Sequence, residues 1–295
     1  MPKVTVVTDS AACLPPALAA QYDIEVVPLT LVFQDHIYAD GSEDSSGRFY
    51  QHLRDSPRLP TTASPSPGDF LEALKRVARR SEAALCITVG SRFSSAYDSA
   101  LQAARLATEE APGLAVRILD SDTAAMAEGF LALEAARVAA QGADVDAALE
   151  RARQLRPRVK VIAILDTLEY LARGGRVPRV AAWASSLLQV KPIVEFRQGD
   201  VRLLARTRVK RRAMERVLAI LAEEAAQGPL HVCIHHTDAA AEADELARRV
   251  RGTLNPAELY ISEFTRVMGA HTGPGLLGAS YYVEDAGPSP DAGGA

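Results

Sequence analysis

Three short segments of the 295-residue chain concentrate hydroxyls, glycines and prolines. They are Pro60-Thr61-Thr62-Ala63-Ser64-Pro65-Ser66-Pro67, Gly90-Ser91-Arg92-Phe93-Ser94-Ser95-Ala96 and His271-Thr272-Gly273-Pro274-Gly275-Leu276-Leu277-Gly278. Hydroxyls on proline-braced loops beside helix N-termini suit a carboxylate or a phosphate, because first-turn N–H groups and the helix dipole favour negative charge there. Taken singly, each segment also reads as a plain capping loop. His235 and His236 invite a metal reading, but adjacent strand residues point to opposite faces and no acidic or cysteine ligand has helpful spacing. No metal site is expected.

The elements around these segments must hold them in place. Short β-branched runs (Val4 to Val7, Ile24 to Phe33, Leu85 to Val89, Val116 to Leu119) alternate with amphipathic stretches, which argues for a parallel sheet flanked by helices. A helix beginning near Ser66 has Pro67 just inside its start, acidic Asp69 and Glu72 early, and Arg79 and Arg80 in its last turn, so Pro60 to Ser66 is expected to be a loop. A second helix, Tyr97 to Glu110, places Gly90 to Ala96 beyond the carboxyl end of a strand, where open α/β sheets put their ligands. Helices over Ala124 to Ala140 and Asp144 to Leu155 follow. From about Pro157 the pattern changes to a mixed sheet: a strand Val159 to Leu165, a hairpin Pro192 to Arg208 turning at Gln198-Gly199-Asp200, strands His231 to Ile234 and Leu259 to Phe264 around a helix Ala239 to Arg251, and a closing strand Tyr281 to Val283. The expected fold class is α/β: an N-terminal parallel sheet flanked by helices over 1–157, a C-terminal mixed sheet with helices over 158–284, and a disordered Gly- and Pro-rich tail over 285–295.

Composition narrows the function classes. A 48% apolar and 24% charged chain is that of a soluble globular protein, and a net charge of −4 with no concentrated basic footprint argues against nucleic acid as a partner. Cys13, Cys86 and Cys233 are odd in number and far apart, fitting neither a disulfide framework nor a zinc cluster. With no signal-peptide pattern and no apolar run of about 20 residues, the expected location is the cytoplasm, without stable membrane insertion.

Read in order, the motifs resemble the DegV family of bacterial fatty-acid-binding proteins. The likeness is carried by Val7-Thr8-Asp9-Ser10, Pro28-Leu29, Tyr38-Ala39-Asp40-Gly41, Pro60-Thr61-Thr62 with Pro65-Ser66-Pro67-Gly68-Asp69-Phe70, and Tyr97-Asp98-Ser99-Ala100. It continues through Asp120-Ser121, Leu168-Glu169-Tyr170-Leu171 with Gly174-Gly175-Arg176, Lys191-Pro192-Ile193, Arg206 to Arg208 and His271-Thr272-Gly273-Pro274-Gly275.

The resemblance implies a non-catalytic carrier with no cofactor, a long-chain fatty acid such as palmitate buried between two α/β domains, and its carboxylate held by Thr62 and Ser94. Arg176, His271, Ser91 and Thr61 would support the head group. It further implies a partner, a separate dihydroxyacetone-kinase-like fatty acid kinase that makes an acyl phosphate for phospholipid synthesis. Burying roughly 16 methylenes at about 0.8 kcal/mol each gives on the order of 12 kcal/mol before binding costs, against about 1.5–3 kcal/mol per hydroxyl bond to a carboxylate. The tail therefore sets affinity and the hydroxyls set register.

This chain departs from the family pattern Ser-Ser-x-Leu-Ser-Gly-Thr-Tyr, reading Gly90-Ser91-Arg92-Phe93-Ser94-Ser95-Ala96-Tyr97, and it has Ala125 and Ala127 where serine and glycine are usual. Several residues keep two readings. Asp9 is either a helix cap or a residue that orients the head group. Arg176, with Arg173 and Arg179 nearby, is either a solvated loop arginine or part of a patch for a kinase or its nucleotide. His271 is either a structural turn residue or a head-group ligand. Trp183 is core or cavity wall. The competing function is a serine hydrolase or acyltransferase on lipid esters, with Ser94 activated by His271 and Asp9 or Asp120, although no Gly-x-Ser-x-Gly elbow accompanies it.

Overall fold

The computed structural model describes residues 3–33, 36–41, 46–56, 58–177 and 190–285. Arg179, Trp183 and the tail from Ala286 onward lie outside the described residues.

The first sheet is parallel, with strand order β2-β1-β6-β7: β1 Val4–Asp9, β2 Glu25–Val27, β6 Ala83–Thr88 and β7 Ala115–Asp120. All six residues of β1 and of β6 are buried, as expected for central strands covered on both faces. The expected strand Ile24 to Phe33 is in fact two. Pro28 has no N–H for a ladder, and the Leu29 N–H donates to Ser10 Oγ at 3.0 Å instead of to a neighbouring strand. The chain beyond it forms β3 Thr30–Phe33, which joins a small antiparallel sheet with β4 His36–Ala39 and β5 Thr61–Ala63. The segment expected as a loop therefore carries a three-residue strand, with Thr62 directly opposite Leu31. The prolines at its flanks mask it in the sequence.

Helix α1 is Pro16–Gln21 and α2 is Ser46–Asp55. Helix α3, Pro67–Ala78, starts as the sequence predicts: Ser66 Oγ accepts from the Asp69 N–H while Asp69 takes the Ser66 N–H at 2.7 Å, a reciprocal capping box. Helix α4 spans Ala96–Glu110. Helix α5, Met126–Ala140, is buried almost all round, because it lies between β1 and β6 of the parallel sheet on one side and β13 on the other. Helix α6, Val145–Leu155, is capped by Asp144 and packs on α5.

The second sheet has order β10-β9-β8-β13-β11-β12. Its strands are β8 Lys160–Ile164, β9 Lys191–Arg197, β10 Asp200–Thr207, β11 Leu230–His236, β12 Glu258–Glu263 and β13 Leu277–Val283. Only the β11–β12 pair is parallel. The β9–β10 hairpin turns at Gln198 (φ 51°) and Gly199 (φ 67°), both left-handed as a two-residue type I′ turn requires. Helices α7 Glu169–Gly174, α8 Lys210–Ala225, α9 Ala240–Leu254 and α10 Arg266–Thr272 complete the described elements. One apolar cluster runs from Val4 and Leu85 through Phe130 to Val161 and Tyr282, so the two large sheets share core across α5.

Candidate functional site

The Gly90–Ala96 turn, β5 and the end of α10 converge on one cavity beyond the carboxyl ends of β1 and β6. It encloses about 880 Å³ of space free of protein atoms, part of it open to solvent, within the range of pockets that take small ligands. Its walls are mostly small or aliphatic: Ala11, Leu29 and Val89 from the parallel-sheet side, Val161, Ala163 and Leu276 from the mixed-sheet side. Polar groups gather at one set of positions, Thr62, Ser64, Ser94, Arg176, His271 and Thr272.

The structure thus brings four of the six predicted site residues together: Thr62, Ser94, Arg176 and His271. Thr61, on the strand residue before Thr62, and Ser91 are exposed and outside the cavity lining. The Ser91 N–H donates instead to Asp120 Oδ1 at 3.1 Å.

Thr62 Oγ1 and His271 Nε2 are hydrogen-bonded at 2.8 Å. Burial, reinforced by the positive charge of Arg176, pushes the His271 imidazole down to about 4, so it is neutral at neutral pH. The ring can come this close because of Gly174, where a Cβ would sit 2.7 Å from His271 Nδ1. Arg176 is exposed at the mouth and donates from Nη1 to the Gly174 carbonyl at 2.9 Å. Ser94 Oγ accepts from the Ala96 N–H at 3.2 Å, leaving its own proton unassigned to any described partner.

Residues outside the predicted site hold this arrangement. The hydroxyls of Ser64 and Ser95 meet at 2.6 Å and tie the two serine-bearing loops together. Thr237 Oγ1 donates to the Gly273 carbonyl at 2.6 Å and accepts from the Leu276 N–H at 2.9 Å, bracing the loop after His271. Beneath the cavity, Asp9 Oδ1 accepts from Ala11 N–H at 3.0 Å, which makes it the cap of the turn after β1, and Oδ2 accepts from Val89 N–H at 2.9 Å at the end of the neighbouring strand. Asp40 Oδ2 takes the Ser10 hydroxyl at 2.7 Å and Oδ1 the Val267 N–H at 3.2 Å, which anchors the start of α10 and, through it, His271. The only sequence signal for Asp40 is its place in Tyr38-Ala39-Asp40-Gly41.

The hydrolase arrangement is not formed. His271 Nε2 is engaged by Thr62, Asp9 is committed to two backbone amides, and Asp120 Oδ1 accepts from the amides of Ser91 and Asp122. Neither carboxylate orients His271 towards Ser94. His235 is a buried core residue: its Nε2 meets Ser280 Oγ at 2.9 Å, its ring packs on Phe264, and burial pushes it down to about 3. Among the described residues no group of three His, Cys, Asp or Glu side chains could hold a metal, and no helix is long and apolar enough to cross a membrane.

Comparison with known proteins agrees with the motifs. The family profile described as "Uncharacterised protein, DegV family" matches residues 3–284. A DegV domain-containing protein of Streptomyces coelicolor is 37% identical over 277 residues, covering 93% of this chain and 96% of its own. A solved fatty-acid-binding DegV family protein from Thermus thermophilus superposes with a TM-score of 0.88 at 28% identity, covering 96% of this chain and all of its own (100%). A stearic-acid-binding protein from Eubacterium ventriosum superposes with a TM-score of 0.86 at 25% identity, covering 96% and 98%. The chain belongs to the DegV family.

Proposed function

We propose that the protein is a non-catalytic carrier that buries a long-chain fatty acid in this cavity and presents its carboxylate to a separate kinase of the dihydroxyacetone-kinase type. The observation that carries the reading is a mostly apolar cavity whose lining includes Thr62, Ser94, Arg176 and His271, two of them, Thr62 and His271, hydrogen-bonded to each other. Apolar walls supply affinity and a few placed donors fix orientation. Similarity to fatty-acid-binding and stearic-acid-binding structures supports the ligand class.

The hydrogen bonding gives the carboxylate a defined partner. For Thr62 to donate its proton to the ligand, His271 must donate Nε2–H to Thr62 Oγ1, which selects one tautomer and leaves Nδ1 bare against Gly174. Ser94 supplies a second hydroxyl and Arg176 a positive charge at the exposed mouth, from which a kinase active site can reach the head group. On the same reading, residues 1–157 supply Thr62 and Ser94, while 158–284 supply Arg176, His271 and half of the apolar wall.

Denaturing extraction and mass spectrometry of the purified protein test this. Stoichiometric fatty acid of roughly 14 to 18 carbons is expected, reduced in a Thr62→Ala, Ser94→Ala double variant. A reproducibly lipid-free protein overturns the carrier reading.

A further inference from the structure

A second concavity opens between the small antiparallel sheet, α2 and the start of α10, and it shares no lining residue with the first. It encloses about 490 Å³ of space free of protein atoms, part of it open to solvent. Part of its lining is apolar: Leu31 and Phe33 of β3 and Phe49 of α2 are buried, and the two phenylalanine rings meet edge to face with centroids 5.9 Å apart. The rest is rich in nitrogen. Arg48 and His52 come from α2 and Arg266 from the first residue of α10.

The cationic groups are placed by the fold. Arg48 and His52 are four residues apart and so share one face of α2. The Arg266 guanidinium lies over the Tyr38 ring, 5.8 Å from its centroid, a contact that holds it at the pocket wall. Both arginines have further contacts, but a guanidinium carries five N–H donors and one contact does not exhaust them. Among the described residues no carboxylate lines the pocket. Asp40, whose carboxyl feels the Arg266 charge, accepts from Ser10 Oγ and from the Val267 N–H. Two permanent positive charges around one concavity repel each other, and an anion seated between them relieves that repulsion.

We propose that this pocket is a second ligand site, for a phosphate monoester that carries a flat ring, either an aryl or a nucleoside phosphate. The proposal goes beyond the carrier reading and does not depend on it. A phosphate monoester brings three terminal oxygens and a charge of about −1.5 to −2 at neutral pH, which suits two guanidinium forks and an imidazole better than the two oxygens of a carboxylate. Leu31, Phe33 and Phe49 give the ligand's ring an apolar surface to cover.

The test is isothermal titration of the purified protein with phenyl phosphate, adenosine monophosphate and inorganic phosphate. At least one ester is expected to bind saturably, one per chain and about tenfold more tightly than inorganic phosphate, because only the ester buries a ring. The tighter ester identifies the source of the ring. Arg48→Gln and Arg266→Gln are each expected to weaken it about tenfold, the effect of losing one charge-assisted contact, whereas Arg176→Gln at the mouth of the first cavity leaves it unchanged. Binding that survives in Arg48→Gln and Arg266→Gln overturns the proposal, and its loss in Arg176→Gln places the anion in the first cavity instead. Absence of saturable binding, or inorganic phosphate held as tightly as either ester, overturns it too. Arg48 is exposed on α2, so its substitution is expected to leave the fold intact, and a thermal unfolding curve of each variant separates weakened binding from misfolding. A lipid-free protein that still binds the ester sinks the carrier reading alone.

Discussion

Two polar regions lie near each other in this protein, one buried and one half-buried, and they are partnered differently. In the buried one Asp9 and Asp40 are committed to backbone amides and to Ser10, and Glu128 Oε1 takes the Thr8 hydroxyl at 3.0 Å. Burial pushes all three carboxyls up, Asp9 to about 7. In the half-buried one, Thr62, Ser94 and His271 carry few bonds and face an open cavity. Depth and a displaced pKa alone would have picked out the buried region as the site. What distinguishes the half-buried one is spare hydrogen-bonding capacity next to empty space.

That contrast can be broken by substitution. The largest effect is expected from Asp40→Ala, which leaves the Ser10 hydroxyl and the Val267 N–H without their buried acceptor. A loss of roughly 4 kcal/mol in denaturant unfolding is expected, with ligand content falling only as far as folding does.

Next in size is a pair of opposed pH dependences. His271 protonates near 6.5 when unfolded but only near 4 when folded, so its contribution is lost as pH falls through that window. Asp9 ionises from 3.8 when unfolded but not until about 7 when folded, so stability is lost as pH rises between those values. Each term is at most roughly 3–4 kcal/mol. Between pH 4 and 6.5, His271→Gln should make the slope of unfolding free energy against pH more negative, and Asp9→Asn more positive. Slopes unchanged in both variants would refute the assignment.

Smaller still, Thr62→Val keeps the shape and removes the hydroxyl. Fatty-acid affinity should drop about tenfold, with stability within about 1 kcal/mol of wild type. A Thr62→Val protein that loses stability instead would place Thr62 with the structural network. Ser91→Ala, on an exposed residue outside the cavity, is expected to change stability by less than about 0.5 kcal/mol and binding not at all.

Much of the fold was legible because its signals are local. The helix start near Ser66, the Gln198-Gly199 turn and the β1 and β6 strands depend on neighbouring residues, and each is formed close to where it was read. The three-stranded sheet was not legible: its strands are three or four residues long, prolines stand shortly before β3 and on both sides of β5, and the strands exist only through pairing with each other. Helix α8 was passed over, and so was most of α10, whose last two residues, His271 and Thr272, open a segment read as a loop. At the site, the hydroxyl-rich loops stand out in the sequence, but Thr62 and Ser94 were singled out within them only by the family resemblance. Asp40, Thr237 and the Ser64–Ser95 contact were not, since each acts on a partner between 31 and 227 residues away.

Helix α5 has a kinetic consequence. Packed against both large sheets along nearly its whole length, it rivets them together, so separating the two halves as rigid bodies would expose the shared core on its faces. Ligand exchange must then proceed by local fluctuation around the cavity mouth, which involves far less surface than global opening. On the carrier reading proposed above, residence time is then decoupled from the energy that holds the sheets together: a fatty acid could be held for long periods and still leave through a few loosened loops without unfolding of the chain.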